Sequence, residues 1–84
     1  MSNNSLEVDI LDIMYSAKRG FSIADLLLQI NNIYMAAGKG KVEQEDVEKV
    51  LNELTEKGYL KKFKVGIVDN WKITEEGIDF FESL

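Results

Sequence analysis

The chain of 84 residues contains no cysteine, no histidine and no proline. Without cysteine the protein has no disulfides, thiolate metal sites or cysteine nucleophiles. Without histidine it lacks the usual general base near neutral pH and the commonest metal ligand. No set of nucleophile, base and orienting residue can be assembled from the side chains that remain. We therefore expect no enzyme activity, no metal ion and no cofactor.

Long apolar runs and an excess of basic residues are also lacking. No apolar run approaches the roughly 18 residues that span a bilayer, and the segment Met1–Ser5 has neither the positive start nor the apolar stretch of a signal peptide. We expect a cytoplasmic protein without membrane contact. Ten basic residues against fifteen acidic ones give a net charge of −5. This balance disfavours nucleic-acid binding, because dedicated binders are normally basic.

The composition is that of a small folded domain. A hydrophobic fraction of 45% is a globular value, and a chain of this length has room for one core. We expect a single domain over residues 1–84, with residues 1–4 as a flexible N-terminus. Six glycines, in place of proline, divide the chain into helix-like and strand-like segments.

Apolar residues at helical spacing predict three helices in the first two thirds of the chain. Gly20 is expected to end the first as its C′ residue, and Ser22 is expected to cap the second. Leu28 and Met35 fall outside the apolar stripe of the second helix. Either a wide apolar face in a small core or contact with a second chain would explain them. The three predicted helices are Ser5 to Lys18, Ile23 to about Ala37, and about Gln44 to Lys57.

After Tyr59 the apolar period changes to two, which predicts a β-hairpin. Trp71 is expected to point into the core, whereas Lys62 and Lys64 are expected on an outward strand face. Turn residues between the strands are Gly66 and Asp69-Asn70. Thr74 then caps a short last helix whose apolar residues are Ile78, Phe81 and Leu84.

Two local strings resemble those of MarR-like and PadR-like transcriptional regulators. The segment Leu51–Leu60 (LNELTEKGYL) is similar to the end of their recognition helix, and Trp71–Gly77 (WKITEEG) is similar to their closing string. The resemblance covers about Ser5 to Leu84. It implies a winged helix-turn-helix domain, mainly α with a small β-hairpin (α+β), in the order helix-helix-helix-strand-strand-helix.

The resemblance also implies DNA binding, with the third helix in the major groove and the hairpin, or wing, on the backbone or minor groove. In the third helix Asn52 could read adenine, but carboxylates dominate its outer face and repel phosphates. We therefore expect wing and loop lysines to make most contacts to double-stranded DNA. The candidate nucleic-acid-binding residues are Lys39, Lys41, Lys49, Asn52, Lys61, Lys62, Lys64 and Lys72.

Three alternatives stay open at this point. The hairpin lysines could merely keep an exposed hairpin soluble. The third helix could bind a basic protein partner instead of DNA, through Glu45, Glu48, Glu53 and Glu56. Adjacent Phe80 and Phe81 point about 100° apart on a helix, so Phe80 and Leu84 could form a homodimer contact, unless the second helix covers both rings.

Overall fold

The computed structural model describes residues 4–84, and the predicted flexibility of residues 1–3 lies outside them. Asn4, also predicted as flexible, already belongs to the first helix. The order of elements confirms the predicted fold class, three helices followed by a hairpin and a fourth helix. The elements are α1 (Asn4–Ala17), α2 (Ile23–Ala36), α3 (Gln44–Glu56), β1 (Leu60–Val65), β2 (Val68–Ile73) and α4 (Glu75–Glu82).

One hydrophobic core joins α1, α2, α3 and the base of the hairpin. The apolar stripe of α3 is buried as its spacing predicts, and so is Trp71. Leu11 and Phe21, which the predicted stripes do not include, are also buried. α1 needs a wider apolar face than one stripe, because it packs against α2, α3, α4 and β2. Among residues 4–84, no helix is both long and apolar enough to cross a membrane.

Two of the predicted helix ends are confirmed, and one is wrong. Ser22 Oγ accepts from the Asp25 amide at 3.2 Å, and Thr74 Oγ1 accepts from the Gly77 amide at 3.0 Å. Gly20 is not the C′ residue of α1, because Lys18 takes the left-handed conformation instead, with φ 54°. The Lys18 amide donates to Met14 O at 2.9 Å, which satisfies a carbonyl at the helix end.

Gly20 has a packing role instead. A Cβ atom at this position would lie 2.7 Å from Phe63 Cζ, so any larger residue would require the half-buried Phe63 ring to shift. The next residue, Phe21, exchanges two backbone hydrogen bonds with Trp71, at 2.8 and 2.9 Å. These bonds tie the free edge of β2 to the segment between α1 and α2.

The hairpin closes on a two-residue loop, which is shorter than predicted. Val65 pairs with Val68, so Gly66 and Ile67 alone form the loop, and Gly66 has φ 65°. A positive φ at the first loop residue fits a type II′ turn. Asp69 and Asn70, predicted as turn residues, are in β2. Glycine at the first loop position already allows the tight turn, so no further turn residue is required.

This register moves two lysines to the other face of the hairpin. Lys62 lies opposite Trp71, and Lys64 lies opposite Asp69. Cross-strand partners share a face, so the prediction that both lysines lie on an outward face away from Trp71 is wrong. Lys61 and Lys72 are paired on the opposite face. We call the first the tryptophan face and the second the lysine face.

The two adjacent rings of α4 are covered by aromatic residues of the same chain. Phe80 stacks on Tyr59 with ring centroids 4.4 Å apart, and Phe81 packs against Tyr15 at 4.9 Å. The covering rings come from the segment before β1 and from α1, not from α2 as the alternative interpretation expected. Aromatic pairs of this kind add to the free energy gained by burial.

Candidate nucleic-acid interface

The lysine face of the hairpin carries two exposed cations side by side. Lys61 and Lys72 are directly opposite each other on β1 and β2, and both side chains are exposed. Within residues 4–84 neither forms an ion pair with a carboxylate. Like charges at facing positions destabilise a strand pair. An anion bound between them would relieve this repulsion.

On the tryptophan face, both lysines lie close to a carboxylate. Lys64 Nζ donates to Asp69 Oδ1 at 2.9 Å, and Lys62 Nζ lies 3.7 Å from Asp69 Oδ2. The hydrogen bond from Lys64, helped by the charge of Lys62, lowers the pKa of Asp69 from its ordinary value. Lys62 Nζ is also 5.6 Å from the centre of the Trp71 ring. One carboxylate thus partly neutralises both lysines.

As a whole the hairpin is the basic part of an acidic protein. Its fourteen residues from Leu60 to Ile73 contain four lysines and one aspartate, which give a net charge of +3. The entire chain has a net charge of −5, so the other residues together carry −8. A polyanion is therefore attracted to the hairpin and repelled by most of the remaining surface.

The outer surface of α3 is acidic, as its sequence predicts. Asn52 and Lys49 lie among four carboxylates on one shallow surface of the helix, and Glu53 is the half-buried member. We call the four carboxylates the acidic face; they are Glu45, Glu48, Glu53 and Glu56. Among residues 4–84, no three acidic side chains are arranged to hold a metal ion.

The loop between α2 and α3 presents two more predicted lysines. Lys39 and Lys41 are exposed, and Lys39 Nζ lies 5.0 Å from the centre of the Tyr34 ring. Asn31 Oδ1 accepts from the Val42 amide at 2.6 Å, which fastens the end of the loop to α2. The loop thus presents both cations at the entry to α3, and neither is paired with a carboxylate in the described part of the chain.

Arg19, which could extend a basic surface, is held by its own chain. Its guanidinium lies 2.9 Å from the Asp25 carboxylate, 2.8 Å from Gly20 O and 3.9 Å from the centre of the Phe21 ring. The hydrogen bond from Gln29, together with Arg19, lowers the pKa of Asp25. Arg19 therefore contributes little positive field.

The two residues of the predicted dimer contact differ in their exposure to solvent. Phe80 is half-buried by its stack on Tyr59, whereas Leu84 is 66% exposed. The contact of Phe80 and Leu84 with a second copy stays a prediction. A sedimentation mass at micromolar concentration tests it, and the mass of one protomer would contradict it.

Sequence reasoning missed two features of the hairpin. The sequence pattern predicts only a turn role for Asp69, although Lys64 and Asp69 become cross-strand partners of opposite charge once the loop has two residues. The second is the exposed apolar tip, where Ile67 stands in a loop position that polar residues usually occupy. Counting strand residues outward from Gly66 would have found both.

The helix-turn-helix formed by α2 and α3, followed by the β1–β2 hairpin and α4, defines a winged helix-turn-helix domain. The chain is similar to the solved structure of a transcriptional regulator from Clostridium thermocellum, with a TM-score of 0.74 and 16% sequence identity. The superposition covers 99% of this chain and 82% of that one. At this identity the likeness establishes the fold. No protein-family model and no curated protein sequence matches the chain.

Proposed function

We propose that this protein is a transcriptional regulator that binds double-stranded DNA, mainly through the lysines of its wing. The observation that carries the proposal is the exposed pair Lys61 and Lys72 on one face of a hairpin with net charge +3. Neutralising phosphates and releasing their counterions supplies most of the affinity of such proteins. The neighbour from Clostridium thermocellum, a regulator of the same fold, supports the proposal.

The wing lysines contribute unequally under this proposal. Lys61 and Lys72 are the primary phosphate contacts, since no carboxylate within the described residues competes for them. Lys62 and Lys64 contribute less, because Asp69 already neutralises part of their charge. The loop lysines Lys39 and Lys41 add contacts where the duplex approaches α3.

The third helix contributes less than the wing. Lys49 and Asn52 are the only two residues among the six on its outer surface that can donate to a phosphate or a base. The acidic face surrounding them repels the backbone, so α3 meets the major groove at a glancing angle or stays outside it. Specificity then rests on few direct contacts to base edges.

The test is the affinity for a duplex measured against salt by fluorescence anisotropy. We expect micromolar or tighter binding at low salt and a steep loss as salt is added. Each phosphate contact adds about 0.9 to the slope of log affinity against log salt. The double substitution Lys61→Ala/Lys72→Ala should therefore reduce the slope by about 2.

The matched control compares two single substitutions, Lys57→Ala and Lys61→Ala. Lys57 caps the end of α3, outside the hairpin, and lies 3.9 Å from Glu7, so Lys57→Ala removes the same charge from a lysine that a carboxylate already neutralises in part. It should leave the slope unchanged. Equal slopes for all variants would contradict wing binding, and no binding at low salt would contradict DNA binding altogether.

The acidic face of α3 supports a second candidate function. Four carboxylates on one exposed helix surface are complementary to a basic protein, and such complementarity speeds association. Under this alternative the domain is a protein-interaction module without direct DNA contact. Capture of a basic partner should be lost with Glu48→Lys/Glu56→Lys and kept with Glu75→Lys/Glu76→Lys, which reverses the same charge on α4.

A further inference from the structure

The tip of the hairpin is apolar and largely exposed to solvent. Its three large side chains are Val65, Ile67 and Val68, which are 58%, 93% and 50% exposed. Turn positions normally carry small or polar residues. Three adjacent exposed apolar side chains form a patch, and apolar patches on a protein surface commonly mark interaction sites.

The tip is held in one shape by the residues directly below it. Gly66, with φ 65°, sets the turn, and the ion pair of Lys64 and Asp69 clamps the two strands one step below Val65 and Val68. Asn70 Nδ2 donates to Val68 O at 3.3 Å. The conformation of the tip is therefore prepared before any partner binds, which lowers the entropic cost of binding.

The tip also reaches beyond the body of the domain. The last buried residue of the hairpin on β2 is Trp71, and Val68 lies three residues further out, about 10 Å along a strand. The minor groove of B-DNA is about 7.5 Å deep and 6 Å wide. Ile67 alone, and not the two-stranded hairpin behind it, is narrow enough to enter that groove, which has to widen for the side chain to reach the base stack.

The charge of the hairpin selects the kind of partner that covers the tip. Two copies of the hairpin would meet with a charge of +3 each and repel, and the lysines along β1 oppose edge-to-edge pairing. The occupant must accept an apolar side chain and also attract the cations on both sides of it. A DNA duplex does both, because base stacks lie between two rows of phosphates.

We propose that Ile67 enters the minor groove as an apolar wedge and partly unstacks one base step, while Lys61 and Lys72 hold the adjacent phosphates. This inference rests on the proposed DNA binding and adds a mode of recognition to it. Isoleucine has no hydrogen-bonding group with which to read a base edge, so it can select only for deformability. We expect a preference for pyrimidine–purine steps, which unstack most easily.

The test uses duplexes with 2-aminopurine at a central T–A step, where unstacking raises the fluorescence. Wild-type protein should raise the signal, and Ile67→Ser should abolish the rise and lower the affinity about 10-fold. The salt slope should not change, since no phosphate contact is removed. Ile67→Met should keep the signal, and Leu28→Ser, at an exposed apolar site on α2, should behave as wild type.

The outcomes separate the wedge from the proposed function. If Ile67→Ser keeps wild-type affinity and fluorescence while Lys61→Ala/Lys72→Ala still flattens the salt slope, the wedge is wrong and DNA binding stands. An affinity that falls when thymine is replaced by uracil, without unstacking, would place the tip on major-groove methyl groups and also overturn the wedge. Absence of any duplex binding at low salt would overturn both.

Discussion

Tyr34 of α2 donates its hydroxyl proton to Asp9 Oδ2 of α1 over 2.6 Å. This bond joins α1 to α2. Burial, together with the hydrogen bond to Asp9, raises the pKa of Tyr34 to about 12. The neutral phenol is therefore the form that the folded protein stabilises.

The direction of the pKa shift of Tyr34 predicts how its hydrogen bond to Asp9 affects stability as the pH changes. A tyrosine whose pKa is raised by folding stabilises the protein fully below its unfolded pKa of about 10. That contribution is lost as the pH rises through about 12. Absorbance at 295 nm should show one tyrosine titrating near pH 12, and Tyr34→Phe should remove that step.

Tyr34→Phe should also destabilise the protein near neutral pH. The substitution leaves Asp9 without its donor, and a hydrogen bond to a charged group contributes about 1–2 kcal/mol. Urea unfolding followed by circular dichroism measures the loss. An unchanged midpoint at pH 7 would show that water replaces the hydroxyl without cost.

Asp69→Asn should strengthen DNA binding. The substitution releases Lys62 and Lys64 from their shared carboxylate and raises the net charge of the hairpin from +3 to +4. We expect an affinity several-fold higher and a steeper salt slope. Because these lysines lower the pKa of Asp69, mild acid does not release them, and substitution is the direct test.

Asp12→Asn is the control for this prediction. Asp12 is exposed on α1, so the change alters the net charge equally but not the hairpin. An equal gain from both variants would mean that overall charge, rather than the freed lysines, sets the affinity.

Gly77→Ala should destabilise the fold, although alanine favours helices over glycine. Gly77 is buried in α4, and an added Cβ atom would collide with Tyr59 O and lie 2.8 Å from Ile73 Cγ1. We expect a loss of about 1–3 kcal/mol in the free energy of unfolding, typical of overpacking. Glu76→Ala, one residue earlier and exposed, should change it little. A more stable Gly77→Ala protein would show that α4 can move away from Tyr59 and Ile73.

Removing charge from the acidic face should reveal where α3 lies on DNA. Glu48→Gln/Glu53→Gln should raise the affinity for a duplex if these carboxylates approach phosphates. Glu75→Gln/Glu76→Gln on α4 removes the same charge elsewhere. If the α3 variant gains no more than the α4 variant, the third helix is outside the groove and the wing acts alone.

The helices and the acidic face of α3 were predictable because each depends on local sequence. Spacing placed Val47, Val50 and Leu54 in the core, and the same helix geometry left Asn52 exposed. The hairpin register was not predictable in this way. Asp69-Asn70 and Gly66 both carry turn signals, and a different loop length moves Lys62 to the opposite face.

Two other errors came from contacts between distant residues. Lys18 rather than a glycine takes the positive φ at the end of α1, and Gly20 lies two residues later, where an added Cβ atom would require the Phe63 ring to shift. Phe80 and Phe81 are covered by Tyr59 and Tyr15, partners that no spacing within α4 indicates. Such pairings are decided by tertiary packing.

The separation of the basic hairpin from the acidic remainder gives this molecule a large electric dipole. Near a polyanion, the electric field turns the hairpin towards the polyanion. Collisions in which the acidic face of α3 leads are disfavoured by charge repulsion. The molecule is 33 Å long, whereas charges in physiological salt are screened within about 8 Å. If the protein binds DNA as proposed, its orientation is therefore decided in the last few ångströms of approach, where the basic hairpin is attracted and the acidic surfaces are repelled.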